Sequence, residues 1–349
     1  MPIYFDRKSK QIRSIEGMTR AFFIVGPTAT GKSEIAADVA QEAGAEIVSA
    51  DAFQIYRGLD LLSAKPDVPT LAKARHHLIG TMPLLENMNA EKYRRAAIHV
   101  IGEINSRRKL AIVVGGSGLY IRALTHGLAP LPEPDPKLRE KLSAMSLDQL
   151  RSQLTALDPE AARKIDVKNR RRVVRALEIC LLTGKPVAAQ RRQWSDAGNA
   201  RSGGLQSAAG AIWRSPVLEG TQTGLSASRA TGVFVFRDRE ELYERINQRV
   251  EAIFERGVVE EVRAAGVTSA TASQMIGLRE IRELLAGKKS LTQCIVDIQQ
   301  ATRRYAKRQL TWFRRQTNFS PLNLSFLTHN EAVRWISLRM LSEAGKRDD

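Results

Sequence analysis

The segment Gly26-Pro27-Thr28-Ala29-Thr30-Gly31-Lys32-Ser33 has the spacing G-x-x-x-x-G-K-[ST], directly after an apolar run and directly before a helical pattern. In that context the glycines let the chain curl so that successive N–H groups face an anion. The helix N-terminus adds free donors and the positive end of its dipole. Lys32 supplies a point charge, and the Ser33 hydroxyl is a ligand for Mg²⁺ beside the phosphates. The plainer alternative is a chance Gly-rich turn. The motif specifies a di- or triphosphate and leaves the reaction open.

A protein that hydrolyses ATP on such a loop normally carries a second apolar strand ending in Asp. The run Leu110–Val114 ends instead in Gly115-Gly116-Ser117, whereas Glu46–Ala50 does end in an acid, Asp51. Parallel strands would bring Asp51 and Ser117 to the carboxyl edge of the sheet, beside the phosphate loop. A carboxylate and a hydroxyl would then stand where a phosphorylated substrate meets an acceptor. Each has a bland reading too, Asp51 as a helix cap or turn residue and Ser117 as part of a common Gly-Gly-Ser turn.

Two basic windows have no acids. In residues 301–315, Arg303, Arg304, Lys307, Arg308, Arg314 and Arg315 fall within an arc of roughly 140° on a helix. Tyr305, Ala306, Leu310, Trp312 and Phe313 take the other side. In residues 168–175, Lys168, Arg171, Arg172 and Arg175 share a face. Such faces suit a nucleic-acid backbone, where each neutralised phosphate releases counterions; the competing reading is a solvated face over a core.

The elements that must hold these residues follow from periodicity. Ala21–Val25, Glu46–Ala50 and Leu110–Val114 read as buried strands, and Glu34–Ala43 (closed by Gly44) and Ala90–Ile104 as helices. This alternation predicts an α/β fold, a parallel sheet flanked by helices and built around the phosphate loop. Four prolines in Pro130–Pro136 mark a boundary, and residues 137–190 read as wholly helical. Residues 195–231, with 22 of 37 positions Gly, Ala, Ser or Thr, read as a flexible insert. Val233–Phe236 returns as a strand, and Leu242, Ile246, Val250 and Phe254 predict a helix closed at Gly257. The expected organisation is a basic extension over 1–17 and a catalytic core over 18–130 and 232–325. A small all-helical domain over 131–194, the insert over 195–231 and a weakly specified tail over 326–349 complete it.

Composition sets limits. In 349 residues, 54 Lys and Arg against 37 Asp and Glu give a net charge of +17, which favours polyanionic partners. Eleven of those charges lie in the two basic windows. No apolar run approaches the roughly 20 residues of a membrane-spanning helix, and the N-terminus has no secretory h-region. Cys180 and Cys294 both sit in apolar helical patterns, as reduced core residues of a cytoplasmic protein would; a monomer is expected.

With these features in place, the sequence resembles the bacterial tRNA dimethylallyltransferase (isopentenyl-tRNA transferase) family. The matching segments are Gly26–Ser33, Asp51–Tyr56, Ser63–Pro66, His76–Ile79, Gly115–Tyr120, Arg172–Glu178, Met275–Gly277 and Thr302–Trp312, in the family's order. The resemblance implies transfer of a five-carbon prenyl group from dimethylallyl diphosphate to N6 of the adenosine just 3′ of the anticodon. The phosphate loop would hold diphosphate with Mg²⁺ in place of ATP, which accounts for the missing strand-end acid. It implies Asp51 as the base that takes the N6 proton and Ser117, where the family usually has Thr, as the orienting hydroxyl. It also matches to tRNA contact Asp51, Ala52, Phe53, Gln54 and Ser117; Arg139, Arg171, Arg172, Val173, Val174 and Arg175; and Gln274, Met275, Ile276, Gly277, Leu278 and Arg279.

The chain departs from the family where Ala52 replaces Ser, Gly80 replaces Asp and Leu278 replaces Tyr. None of these touches Lys32, Ser33 or Asp51. Two rival readings are a phosphate-loop kinase of a small metabolite and a non-catalytic RNA-binding protein. The first leaves the basic helices unexplained, the second the intact Gly-Lys-Ser loop.

Overall fold

The computed structural model describes residues 21–128, 131–187 and 231–345. Six parallel strands form one sheet: β1 (Ala21–Val25), β2 (Glu46–Ser49), β3 (His76–His77), β4 (Ala111–Gly115), β5 (Thr231–Phe236) and β6 (Phe319–Asn323). Their order is β3-β2-β4-β1-β5-β6. β1, β2 and β4 are buried along their whole length, because helices cover both faces; hence these strands are continuous apolar runs without alternation. The register pairs Val25 with Gly115 and Ser49 with Val114. The chain therefore leaves β1, β4 and β2 at one edge, which fixes where Gly26, Ser117 and Asp51 emerge.

On one face, α1 (Lys32–Ala43) and the C-terminal α13 (His329–Gly345) pack together. Ile35 and Val39 meet Val333, Ile336 and Met340 in one cluster with Ile24, Ile112 and Val235. The tail that the sequence specifies only weakly is thus a helix packed into the core. Ala332, Val333, Ile336 and Met340 form a buried stripe, whereas Leu338 and Leu341 are exposed. Apolar residues on both sides of the helix blur its amphipathic signal.

The other cluster joins α9 (Arg239–Glu255), α10 (Val258–Ala265), α11 (Leu278–Leu285) and α12 (Leu291–Phe313). Along α9 the buried positions are Leu242, Ile246, Val250 and Ile253. The expected spacing of four drifts, because a helix turns in 3.6 residues, so Ile253 faces the core and Phe254 is only half-buried. Between β2 and β4 lie α2 (Val68–Lys73) and α3 (Ala90–Ser106), and α4 (Gly118–His126) follows β4.

The chain divides into two units, Met1–Ile121 with Ala227–Asp349 and Arg122–Ser226. The division thus precedes the proline run, and Pro136 starts a helix instead of preventing one. The second unit contains α5 (Pro136–Ala144), α6 (Leu147–Leu157), α7 (Pro159–Lys164) and α8 (Arg170–Thr183). Asp135 and Asp158 cap α5 and α7, each with proline in the first turn. Leu142, Leu150, Leu154, Val173 and Leu177 form its core. The extension over 1–17 lies outside the described residues, as do the end of the helical segment and nearly all of the 195–231 insert. Cys180 and Cys294 are free and buried. No described helix is long and apolar enough to cross a membrane.

If α13 is core, Ile336→Ala should cost about 2–5 kcal/mol of stability, whereas Leu338→Ala, at 59% exposure, should change it by less than about 0.5 kcal/mol. Denaturant unfolding of the two variants measures the difference; equal, small effects would mean that α13 is not part of the core.

Candidate active site

The phosphate loop is held open by its own backbone and by arginines from outside it. Gly31 adopts φ +89°, a conformation other residues resist, and no side chain caps α1 behind it. The amide donors of the first turn therefore face the loop. Thr30 is fully buried and its hydroxyl donates to Pro27 O at 3.1 Å. Lys32 Nζ donates to the same carbonyl at 3.0 Å. Burial lowers the Lys32 pKa to about 8, with Asp51 opposing and Arg249 adding to that fall.

Three arginines that sequence reasoning missed surround this loop. Arg237 Nε donates to Thr30 O at 3.0 Å, Arg245 Nε to Ala29 O at 2.9 Å, and Arg249 to the Thr28 hydroxyl at 2.8 Å. Arg245 and Arg249 are one turn apart on α9, and Arg237 stands just before that helix. The i, i+4 arginine pair was visible in the sequence, but attention to the apolar stripe beside it hid the signal.

Across from the loop, Asp51 Oδ1 accepts from the Phe53 N–H at 2.8 Å and the Gln54 N–H at 3.2 Å. Asp51 thus does cap a turn, but with one oxygen; Oδ2 has no partner among the described residues. The Ser117 hydroxyl accepts from Ala52 N–H at 3.0 Å and lies near the Tyr305 side chain of α12. Burial first, and the Asp51 charge second, push the Tyr305 phenol above its ordinary value. Gln54 is oriented by donating to Ala64 O at 2.9 Å. Lys32, Ser33, Asp51, Gln54 and His76 line one small cleft. Cation-rich loop, free carboxylate oxygen and hydroxyl therefore share the edge where their strands end.

The remaining candidates fall into three groups. Ala52 and Phe53 are partly buried, Gln274 and Arg279 are exposed, and Arg279 pairs with Glu280 and Glu283. Val173, Met275 and Leu278 are buried in apolar clusters, which corrects their reading as RNA contacts: they act by packing. Leu278, in the place of the family's Tyr, is wholly enclosed; Ile276 and Val174 are half-buried and Gly277 is buried with φ +96°. In the second unit Arg171 and Arg172 are exposed, but Arg139 and Arg175 both bind Glu178, which is fully buried. On α12, Arg304, Lys307 and Arg308 are exposed as expected. Arg303 is not a free member of that face, because its guanidinium donates to Asn247 at 3.1 Å and lies over the Tyr243 ring.

A diphosphate favours the charged form of Lys32, so binding takes up a proton where the free protein has lost it. Affinity for a fully ionised diphosphate monoester should be undiminished well below pH 8 and fall as pH rises through about 8. Calorimetry in buffers of different ionisation enthalpy should show proton uptake at about pH 8.5, absent in Lys32→Met. Uptake unchanged in that variant would remove Lys32 from the anion site.

Residues 54–316 match the family described as IPP transferase. The chain is 37% identical over 323 residues to the tRNA dimethylallyltransferase of Akkermansia muciniphila, covering 93% of this chain and 99% of that protein. It is 39% identical to the protein of that name from Caulobacter sp., over 86% of this chain and 91% of the other. Among solved structures, the full-length tRNA isopentenylpyrophosphate transferase of Bacillus halodurans superposes with a TM-score of 0.65 at 28% identity, covering 95% and 98% of the two chains. A family match spanning most of the chain, near-complete alignment with such relatives and the shared fold lead to one conclusion: this chain belongs to the IPP transferase family.

Proposed function

We propose that the protein transfers a dimethylallyl group from dimethylallyl diphosphate to N6 of the adenosine just 3′ of the anticodon of tRNA, releasing diphosphate. The observation that carries this reading is the pairing, at one sheet edge, of a cation-rich phosphate loop with a carboxylate that keeps one oxygen free. Relatives aligned over nearly the whole chain bear the corresponding name. No observation favours the kinase alternative.

In this reading the leaving group is the whole diphosphate. Its charge develops as the carbon–oxygen bond breaks, and Lys32, the loop N–H groups, Arg245 and Arg249 stabilise it in a poorly hydrated site. The allylic carbon is attacked by N6, a weak nucleophile whose proton must leave as the bond forms. Asp51 Oδ2 takes that proton, while Oδ1 keeps the carboxylate oriented through the Phe53 and Gln54 amides. Ser117, set by the Ala52 N–H, orients the amine. The adenine leaves its stack to reach so recessed a pocket. Exposed Arg304, Lys307 and Arg308 on α12 and Arg171 and Arg172 on α8 supply backbone contacts to the tRNA.

The donor set also fits Mg²⁺. The described residues contain no cluster of three or more metal-binding side chains, and the cleft instead offers the Ser33 hydroxyl. That is the sparse set Mg²⁺ takes when phosphate oxygens and water complete its octahedron. When bound, the ion spreads the leaving-group charge. The family-implied setting is a cytoplasmic monomer.

Incubation with tRNA, Mg²⁺ and dimethylallyl diphosphate, then nuclease digestion and mass spectrometry, should yield dimethylallyladenosine; ATP turnover on a metabolite without that product would overturn the reading. Asp51→Asn should lower the rate at saturation about 10²- to 10⁴-fold while tRNA affinity changes little. Joint replacement of Arg304, Lys307 and Arg308 by alanine should flatten the salt dependence of tRNA binding by about two to three units of slope. An unchanged slope would return that face to solvent.

A further inference from the structure

α12 is recognised above for its outward cations, yet its inward face contains a buried amide that joins two separate loops. Gln309 is 5% exposed. Its Oε1 accepts from the Thr28 N–H at 3.0 Å, and its Nε2 donates to Gly116 O at 2.8 Å. Thr28 belongs to the loop that faces the diphosphate; Gly116 immediately precedes Ser117, on the acceptor side. The contact is close: a Cβ on Gly116 would stand 2.3 Å from Gln309 Nε2, so only glycine admits the amide here. One turn earlier on the same helix, Tyr305 lies near Ser117. Arg249 fixes Thr28 from the opposite side through its Oγ1.

We propose that Gln309 is a positioning residue for the reaction, setting the separation and tilt between the diphosphate loop and the acceptor edge. The inference rests on the prenyl-transfer reading above. Gln309 touches neither reacting partner. A primary amide is suited to the role because it is neutral and presents one donor and one acceptor from a single rigid plane. One loop presents an N–H and the other a C=O, so a single glutamine satisfies both and fixes their relative placement. In-line attack tolerates little misplacement, and an error near 1 Å in the approach of N6 to the allylic carbon costs on the order of 10²-fold.

The test is Gln309→Met, which keeps length and bulk and removes both hydrogen bonds. At saturating tRNA, Mg²⁺ and dimethylallyl diphosphate, kcat should fall about 10- to 100-fold, with KM for tRNA within about threefold and most of the thermal midpoint retained. Gln309→Glu supplies the second arm. Its ionised carboxylate accepts from Thr28 but repels Gly116 O, whereas its protonated form restores both bonds. Its deficit in kcat relative to wild type should therefore shrink as pH is lowered from about 8.5 to about 6, while that of Gln309→Met stays flat. A merely structural glutamine would lower the thermal midpoint, leave kcat per folded molecule unchanged and give parallel pH profiles; that result overturns the proposal. Wild type assayed alongside separates the two claims: no dimethylallyladenosine from wild type sinks the functional reading, whereas normal wild-type product with a fully active Gln309→Met sinks only this one.

Discussion

Convergence of positive charge on the phosphate loop is the constraint around which the rest of the structure is arranged. Lys32, Arg237, Arg245 and Arg249 all bond to loop atoms, and burial weakens the charged form of Lys32, Arg237 and Arg249. Taking cations out of water is costly unless an anion compensates. Asp51 compensates both Lys32 and Arg249 in part, and a bound diphosphate would do so fully. In the proposed reading Asp51 stands near the departing diphosphate, where the acceptor proton has somewhere to go.

Every larger feature serves that cluster. The strand order places the ends of β1, β4 and β2 side by side, so three loops distant in sequence supply the anion site, the hydroxyl and the carboxylate. α9 aligns Arg245 and Arg249 behind the loop because its apolar stripe is locked into the core below. α12 is used on both sides. Thr302, Gln309 and Phe313 are buried while Arg304, Lys307 and Arg308 face water, so in the proposed reading one helix meets the tRNA on one side and braces the loops on the other.

Much of this was legible in the sequence because it depends on short range. The phosphate loop, the strands around it, Asp51 and Ser117 all followed from apolar runs and the residues that end them. Arg237, Arg245 and Arg249 were not legible, because their value arises only when β5 pairs with β1 and brings α9 behind the loop. Arg303 was misread because a helical wheel shows its direction but not Asn247 and Tyr243 waiting on α9. Val173, Met275 and Leu278 fell within segments assigned wholesale to RNA contact, whereas helical alternation sends every third or fourth side chain inward. The C-terminal helix was legible only as weakly specified because the apolar residues on its outer side mask the stripe on its inner side.

The account stands on the loop holding a departing diphosphate intact, with bond cleavage on the carbon side of the bridging oxygen. Dimethylallyl diphosphate bearing ¹⁸O in that bridging position discriminates directly. After turnover with tRNA, mass analysis of the released inorganic product should find the label in diphosphate, with none left on the prenyl group or the nucleoside. Label retained by the prenyl fragment, or release of a monophosphate in place of diphosphate, would mean that a phosphorus–oxygen bond is broken and would contradict the role assigned to Lys32 and its surrounding arginines.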